Sequence, residues 1–356
     1  MHSILILSIL IIGLLIYFFS NEKKGRKRLS IWAGLNLFMY GALRSTSVGI
    51  DVPFYENAYQ MLPNISFESL FTSTHLILSR DPFFYAFIKF LTFISEDPQF
   101  MLIVISAIVA ICFSIFVYKN SINPLLSIIM FIGLRYYSFT LTGLRQAIAW
   151  SIVMLSYEFI KDKKLIRFIA TVCIASLFHS SAILFIVAYP LANIREIGRF
   201  SLIVGAGLYL NFATDNLILK LLVKLPLLQQ YESYIYREEF ATTGMTMLII
   251  YFSILLFTLF MKKSFLKKTD NANLMFNLSL IGFAITTLGY DYANIFRIGY
   301  YFIFPIVLLL PSVIKSSFDK KSQLIVTFVV IVLLVMQFII LDPGGGTQNY
   351  KFFWNN

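Results

Sequence analysis

Apolar stretches of about a dozen to twenty residues recur along the whole of this 356-residue chain, and that recurrence constrains the fold more than any single motif. A helix needs about 20 mostly apolar residues to cross a bilayer. In hydrocarbon only helices and closed barrels satisfy their own backbone hydrogen bonds. The chain is 58% hydrophobic and 13% charged, against roughly 45–50% and about 25% in an ordinary soluble domain. Apolar runs at 4–19, 29–43, 99–117, 124–139, 146–160, 165–178, 181–194, 200–213, 245–261, 274–289, 298–314 and 324–341 predict an all-α, polytopic transmembrane bundle of about 12 spans. No soluble domain is left over, and residues 1–356 are read as one integral membrane domain. The pair 165–178 and 181–194 has an alternative: one longer helix, with the amphipathic stretch 217–228 crossing instead.

A net charge of +11 raises the question of a nucleic-acid partner. Its distribution argues for membrane topology and against such a partner. Basic residues gather in short loops, at Lys23, Lys24, Arg26, Lys27 and Arg28, at Lys161, Lys163, Lys164 and Arg167, at Lys262, Lys263, Lys267 and Lys268, and at Lys315, Lys320 and Lys321. Such loops mark the cytoplasmic side. The first apolar run carries its positive charge after it, which places the amino terminus outside and makes this run a retained span. Parity then puts every basic cluster inside. It puts Asp51, Glu56, Glu68, Asp81, Glu96, Asp97, Glu232, Glu238, Glu239, Asp291 and Asp342 outside.

The stretch 83–94 breaks that parity if it crosses. It is only about 12 residues long, short of a span, and carries Lys89 in its middle. It is therefore expected at the outer interface or re-entrant, within an external cap over 44–98; a second external loop covers 214–244. Cys112 and Cys173 both lie inside apolar runs and read as small apolar side chains. The phosphate-cradling, zinc-protease and nucleophile-elbow motifs are all missing from the sequence. The three histidines are far apart in sequence, and no metal or other cofactor is expected.

What remains is a set of arginines on the side where positive charge is normally depleted. Arg44 follows the second run directly, Arg135 lies near the outer end of its run, and Arg145 and Arg297 each stand just before a span. The bland account is snorkelling to the interface. The functional account is an anion site, because helix amino termini and arginine forks both favour phosphate oxygens. His179, between two apolar runs, is either a satisfied helix-end residue or a proton acceptor; Asp51 and Glu56 are alternative bases. Tyr55, Tyr59, Tyr136, Tyr137, Tyr290, Tyr292, Tyr300 and Tyr301 gather near the arginines, as an interfacial belt or as platforms for sugar rings.

Four stretches carry a resemblance: RSTSVGIDVPFY at 44–55, LRQAIA at 144–149, KDKKLIRFIATVCIASLFHSSAIL at 161–184 and RIGYYFIFP at 297–305. In order and spacing the chain resembles the EpsG family of Wzy-like polysaccharide polymerases, from about residue 44 to 311. The resemblance implies a GT-C-like bundle in the plasma (inner) membrane. It implies a metal-independent glycosyltransferase that joins oligosaccharide repeat units carried on undecaprenyl diphosphate at the outer face. It carries over Arg44, Gly49, Asp51, Tyr55, Arg145, Gln146, His179 and Arg297 as functional positions. The sequence departs from the family pattern at Arg80-Asp81-Pro82-Phe83, where a glutamate is expected and Asp81 stands in.

The catalytic candidates are thus Asp51, His179 and Arg145. The substrate-contact candidates are Arg44, Tyr55, Arg80, Asp81, Arg135, Gln146, Asp291, Arg297 and Tyr301. The implied partners are the lipid-linked oligosaccharide, membrane lipid, a chain-length regulator and a flippase. Rival readings are an O-antigen ligase-like transferase, a lipid-linked oligosaccharide flippase or transporter, and a membrane acyltransferase using His179. The identity of the acceptor separates the ligase reading, and two related halves with broken helices would mark a transporter.

Overall fold

The computed structural model describes residues 8–9, 11–13, 15–16, 22–72, 81–225, 228–232, 244–340, 346–347 and 349–355. Among these all regular structure is helical, and extended pairing is limited to one bridge between Arg44 and Phe352. The chain divides into two compact units. The first comprises residues 1–156, 169–183 and 325–356; the second comprises 157–168 and 184–324.

The first unit contains α1 (Glu22–Ala42), α2 (Val52–Met61), α3 (Phe67–Thr72), α4 (Pro82–Thr92), α5 (Pro98–Asn120), α6 (Pro124–Gly133) and α7 (Tyr136–Thr140). It also takes most of α8 (Leu144–Lys161) and α9 (Leu165–Phe178). Local sequence sets the helix starts. Pro82, Pro98 and Pro124 each occupy the first helical position, where the missing N–H costs nothing and the fixed φ suits the helix. Asp97 caps α5 by accepting from the Gln99 N–H at 2.9 Å, and Asn123 caps α6 by accepting from Leu126 at 3.3 Å. Arg135, left-handed at φ 63°, breaks the expected 124–139 run into α6 and α7.

The described residues within 44–98 pack as a layer. Tyr59, Leu62, Phe84, Ile88, Met101 and Leu144 bury one another, which joins α2 and α4 to the starts of α5 and α8. Helix α4 runs 11 residues, the length expected of an interfacial or re-entrant segment and too short for a span. Its Lys89 is buried yet satisfied. The ammonium donates to the Leu62 carbonyl at 2.8 Å and lies 5.3 and 5.5 Å from the ring centroids of Phe67 and Phe93. The carboxy-terminal segment closes on the end of α1. Ser45 N–H donates to Lys351 O at 2.9 Å, Phe353 N–H to Leu43 O at 3.0 Å, and the Tyr350 hydroxyl to Tyr40 O at 2.7 Å.

The second unit contains α10 (Ala188–Leu191), α11 (Ile197–Ala213), α12 (Leu217–Leu222), α13 (Gly244–Phe260), α14 (Lys262–Lys268), α15 (Ala272–Leu288), α16 (Ala293–Ile298), α17 (Tyr300–Ile303) and α18 (Ile306–Ser317). Helix α19 (Lys320–Ile340) starts there and passes to the first unit at Ile325. Helix α15 is its centre, packing against α11, α13, α17 and α18. Gly282 is what lets α17 approach: a Cβ there would fall on the backbone of Ile303.

By length and composition, two described helices are apolar and long enough to cross a membrane, Pro98–Asn120 and Lys320–Phe338. Two bent pairs, Gly244–Phe260 with Lys262–Lys268 and Ala293–Ile303 with Ile306–Ser317, bring this to four. The runs 29–43 and 146–160 fall on α1 and α8, of 21 and 18 residues, several others are present as shorter apolar helices, and much of the run 4–19 lies outside the described residues. The run 181–194 is a 3-10 helix, Ser180–Val187, followed by α10, and the break at His179 separates it from α9. This differs from the alternative of one long helix. Among the described residues of 217–228, helix is confined to α12. Breaks at Arg135 and Pro305 shorten what hydropathy alone reads as continuous.

Close packing at α15 sets an expectation. Gly282→Ala overpacks against main chain, which typically costs about 1–3 kcal/mol. Gly205→Ala in α11 meets nothing within 4 Å and gains helix propensity of about 1 kcal/mol. Thermal unfolding in detergent is expected to fall for the first variant and hold or rise for the second. Equal effects would contradict the packing assigned to Gly282.

Candidate active site

Three chain segments of the first unit converge on one carboxylate. Asp81 immediately precedes α4, at left-handed φ 58°, and its side chain is 3% exposed. Its Oδ2 accepts from Arg145 Nη1 at 3.1 Å and faces His179 Nδ1 at 2.8 Å. Its Oδ1 accepts from the backbone N–H of Ser180 at 2.8 Å. Arg145 is the second residue of α8, as expected for the amino-terminal end of a helix. His179 occupies the break between α9 and the 3-10 segment, where the chain turns and exposes its side chain. The aspartate thus also caps the start of that segment.

The electrostatics follow from this placement. Burial pushes the Asp81 carboxyl up. The hydrogen bond and charge of His179, the charge of Arg145 and the Ser180 N–H outweigh it and hold the carboxyl below the usual carboxylate range. An ionised carboxylate only accepts, so His179 Nδ1 is the N–H that donates to it. That fixes the tautomer and leaves Nε2 as the basic nitrogen of the neutral ring. Nε2 makes no hydrogen bond among the described residues. Arg145 and His179 are 20% and 22% exposed, so the buried aspartate presents two partly open polar groups.

Aromatic side chains brace the arginine. Its Nε donates to the Tyr55 hydroxyl at 3.3 Å, and its guanidinium lies 6.0 Å from the centre of that ring. Tyr55 stands edge-on to Phe84 at 5.5 Å, and Phe84 edge-on to Tyr85 at 5.4 Å. Tyr85 was not among the residues singled out from sequence. It is fully buried, and its hydroxyl has no hydrogen-bond partner among the described residues. Burial pushes its phenol up to about 12, with Arg145 opposing and Tyr55 and Asp81 adding to the rise. The signal was its position, one helical turn beyond Asp81 on α4.

Of the sequence candidates, Tyr55, Asp81, Arg145 and His179 come together. The backbone N–H of Asp51 donates to Thr142 Oγ1 at 3.4 Å. Arg44 is 1% exposed and donates to the carbonyl oxygens of Gly41 at 2.6 Å and Leu141 at 3.1 Å and to Ser106 Oγ at 3.4 Å. From there it ties the end of α1 to the loop before α8. Gln146 and Arg135 are buried. Asp291, Arg297 and Tyr301 belong to the second unit; Asp291 is exposed, Arg297 half-buried and Tyr301 fully buried. Arg297 was expected at the amino-terminal end of a span over 298–314. It lies instead in the last turn of the six-residue α16, because Gly299 and Pro305 break that run. Arg80 falls outside the described residues, as do Glu238, Glu239 and Asp342. Among the described residues no group of three or more His, Cys, Asp or Glu side chains is placed to hold a metal ion.

The described helices and the carboxylate–imidazole–guanidinium cluster are those of a helical membrane protein with polar chemistry in its first unit. The model of the EpsG family matches residues 27–353, nearly the whole chain, and the chain belongs to that family. EpsG is a family of Wzy-like polysaccharide polymerases. No curated protein and no solved structure matches the chain.

Asp81 generates a pH expectation. Its folded-state pKa is depressed, so its contribution is present above the unfolded value of about 3.9 and is lost as pH falls through the folded value. Near neutral pH, Asp81→Asn is expected to cost about 1.5–3 kcal/mol, the range for hydrogen bonds to charged groups. The wild-type advantage in thermal unfolding shrinks as pH drops below about 4. An advantage that is unchanged at pH 3 would contradict the depressed carboxylate.

Proposed function

We propose that this chain is a polysaccharide polymerase that joins oligosaccharide repeat units carried on undecaprenyl diphosphate at the outer face of the plasma membrane. Membership of the EpsG family supports the polymerase reading. The observation that carries the site is the Asp81 carboxylate, 2.8 Å from His179 Nδ1 and 3.1 Å from Arg145.

In the proposed reaction the acceptor is a hydroxyl on the incoming unit. His179 Nε2 takes its proton as the oxygen bonds to the anomeric carbon of the growing chain. The bond from that carbon to the diphosphate breaks, and the electron pair leaves with the diphosphate lipid. Asp81 keeps the imidazole in the accepting tautomer and stabilises the imidazolium that forms, as a buried carboxylate does beside a general-base histidine. Negative charge grows on the departing diphosphate, where a fixed guanidinium is worth most. Arg145 supplies it, and the hydroxyl and ring of Tyr55 hold its orientation. The positive-inside pattern of the loops supports the outer-face assignment.

The test uses cells lacking the gene, with surface polysaccharide resolved on a gel. Single repeat units that return to a polymer ladder with wild type, but not with Arg145→Lys or Asp81→Asn, carry the proposal. Lysine keeps the charge and loses the fork, so its failure singles out guanidinium geometry. Loss of all units from the surface points to a flippase, and full-length polymer stranded on its carrier points to a ligase. Either result overturns the polymerase reading.

A further inference from the structure

Helix α1 ends at Ala42, and the carbonyls of a last helical turn find no donor further along their own helix. Here each finds one elsewhere. Met39 O accepts from the Leu43 N–H at 3.0 Å, Gly41 O from Arg44 Nη1 at 2.6 Å, and Ala42 O from Gln99 Nε2. Tyr40 O accepts from the Tyr350 hydroxyl at 2.7 Å, across 310 residues of sequence. The two tyrosine rings also stack, with centres 4.1 Å apart. Tyr350 is 9% exposed, so this cap is shielded from water.

The chain that follows α1 rests on the same distant segment. Leu43 O accepts from the Phe353 N–H, the Ser45 N–H donates to Lys351 O, and the Gly49 N–H donates to Gly346 O at 3.3 Å. Gly346 is left-handed at φ 70°, and a Cβ there would meet the backbone nitrogen of Ile50 at 3.1 Å. The main chain of 43–50 is therefore held at both ends by 346–353.

The loop 43–51 in turn supports the turn that starts α8. Arg44 Nη2 donates to Leu141 O at 3.1 Å, and the Asp51 N–H donates to Thr142 Oγ1 at 3.4 Å. Gly49 is left-handed at φ 105°, and a Cβ there would fall on the Leu141 carbonyl, so the two loops meet through main chain. Gly143 O accepts from the Ala147 N–H at 2.8 Å as α8 begins, Leu144 is fully buried, and Arg145 follows it. All of these residues belong to the first unit. A series of packed contacts thus runs from Tyr350 to the residue that faces Asp81.

We propose that Tyr350 is a positioning residue for Arg145. It caps α1 and fixes the loop 43–51, and through that loop it fixes the turn 141–143 from which Arg145 projects. Its catalytic consequence rests on the reading in which Arg145 meets the departing diphosphate. A change remote from the chemistry that displaces such a group by about 1 Å can cost about 10²-fold in rate.

The experiment uses the purified full chain as wild type, Tyr350→Ala, Tyr350→Phe and Gly282→Ala, the last as a control for general destabilisation. Amide hydrogen exchange is followed along the chain. Initial rates of chain extension are measured against the concentration of a synthetic undecaprenyl-diphosphate-linked repeat unit and normalised to bound donor. Tyr350→Ala is expected to exchange faster at 141–147 with α15 unchanged, and to extend chains with a kcat about 10²-fold lower at a similar KM. Tyr350→Phe keeps the stack and loses the hydroxyl; it shows the same pattern to a smaller degree and carries the test if the alanine variant does not fold. Gly282→Ala leaves exchange at 141–147 as in wild type. Unchanged exchange at 141–147, acceleration spread equally over α15, or faster exchange with an unaltered kcat overturns the proposal. A wild-type protein that extends no chain overturns the polymerase reading instead, and exchange at 141–147 then decides by itself whether Tyr350 positions Arg145.

Discussion

The buried carboxylate of Asp81 is the contact on which the candidate site depends. Taken alone it is an expensive group to enclose, because burial disfavours its charge. It is kept ionised by three donors from three separate stretches of chain: the Arg145 guanidinium, the His179 imidazole and the Ser180 backbone. The same acceptor therefore does two jobs. It ties the start of α4 to the start of α8 and to the break after α9. It also fixes which nitrogen of His179 holds the proton and where the positive charge of Arg145 points. Removing it would leave a partly buried arginine without its carboxylate, and such losses exceed the worth of the pair itself.

The surroundings make that geometry durable. The aromatic wall of Tyr55, Phe84 and Tyr85 joins α2 to α4 beside the arginine. Helices α2 and α4 rest on the starts of α5 and α8 through apolar contacts. Lys89 and Arg44 show how this fold handles cations without carboxylates. Each donates to backbone carbonyls at a helix end, and Lys89 adds two aromatic faces. Arg145 differs from both in facing an acid and in being partly open.

Much of the site was legible because its residue types are costly where they occur. Arg145 and His179 stood out as polar interruptions of apolar runs, and Asp81 as a departure from a familiar pattern at a helix-starting proline. Their meeting was not legible, since 64 and 98 residues separate Asp81 from its two partners and spacing carries no signal at that range. Tyr85 was missed because one tyrosine among 20 has no mark until its hydroxyl is seen to be buried. Helix positions were mostly legible from hydropathy; α9 begins and ends where the apolar run does. Helix continuity was not. Left-handed Arg135 and the breaks around Gly299 and Pro305 interrupt runs whose composition alone reads as unbroken, whereas the break at His179 falls between two runs read as separate. Arg297 was misplaced for that reason.

The central claim is that His179, oriented by Asp81, takes the proton of the acceptor hydroxyl. The most direct measurement is the initial rate of chain extension in proteoliposomes, with purified protein and a synthetic undecaprenyl-diphosphate-linked repeat unit. Wild type and His179→Gln are compared, and binding of the lipid-linked donor is measured on the same preparations. The account predicts a rate loss of about 10²–10⁴-fold, the usual contribution of a general base, with donor binding retained. A glutamine variant that extends chains at the wild-type rate would contradict it.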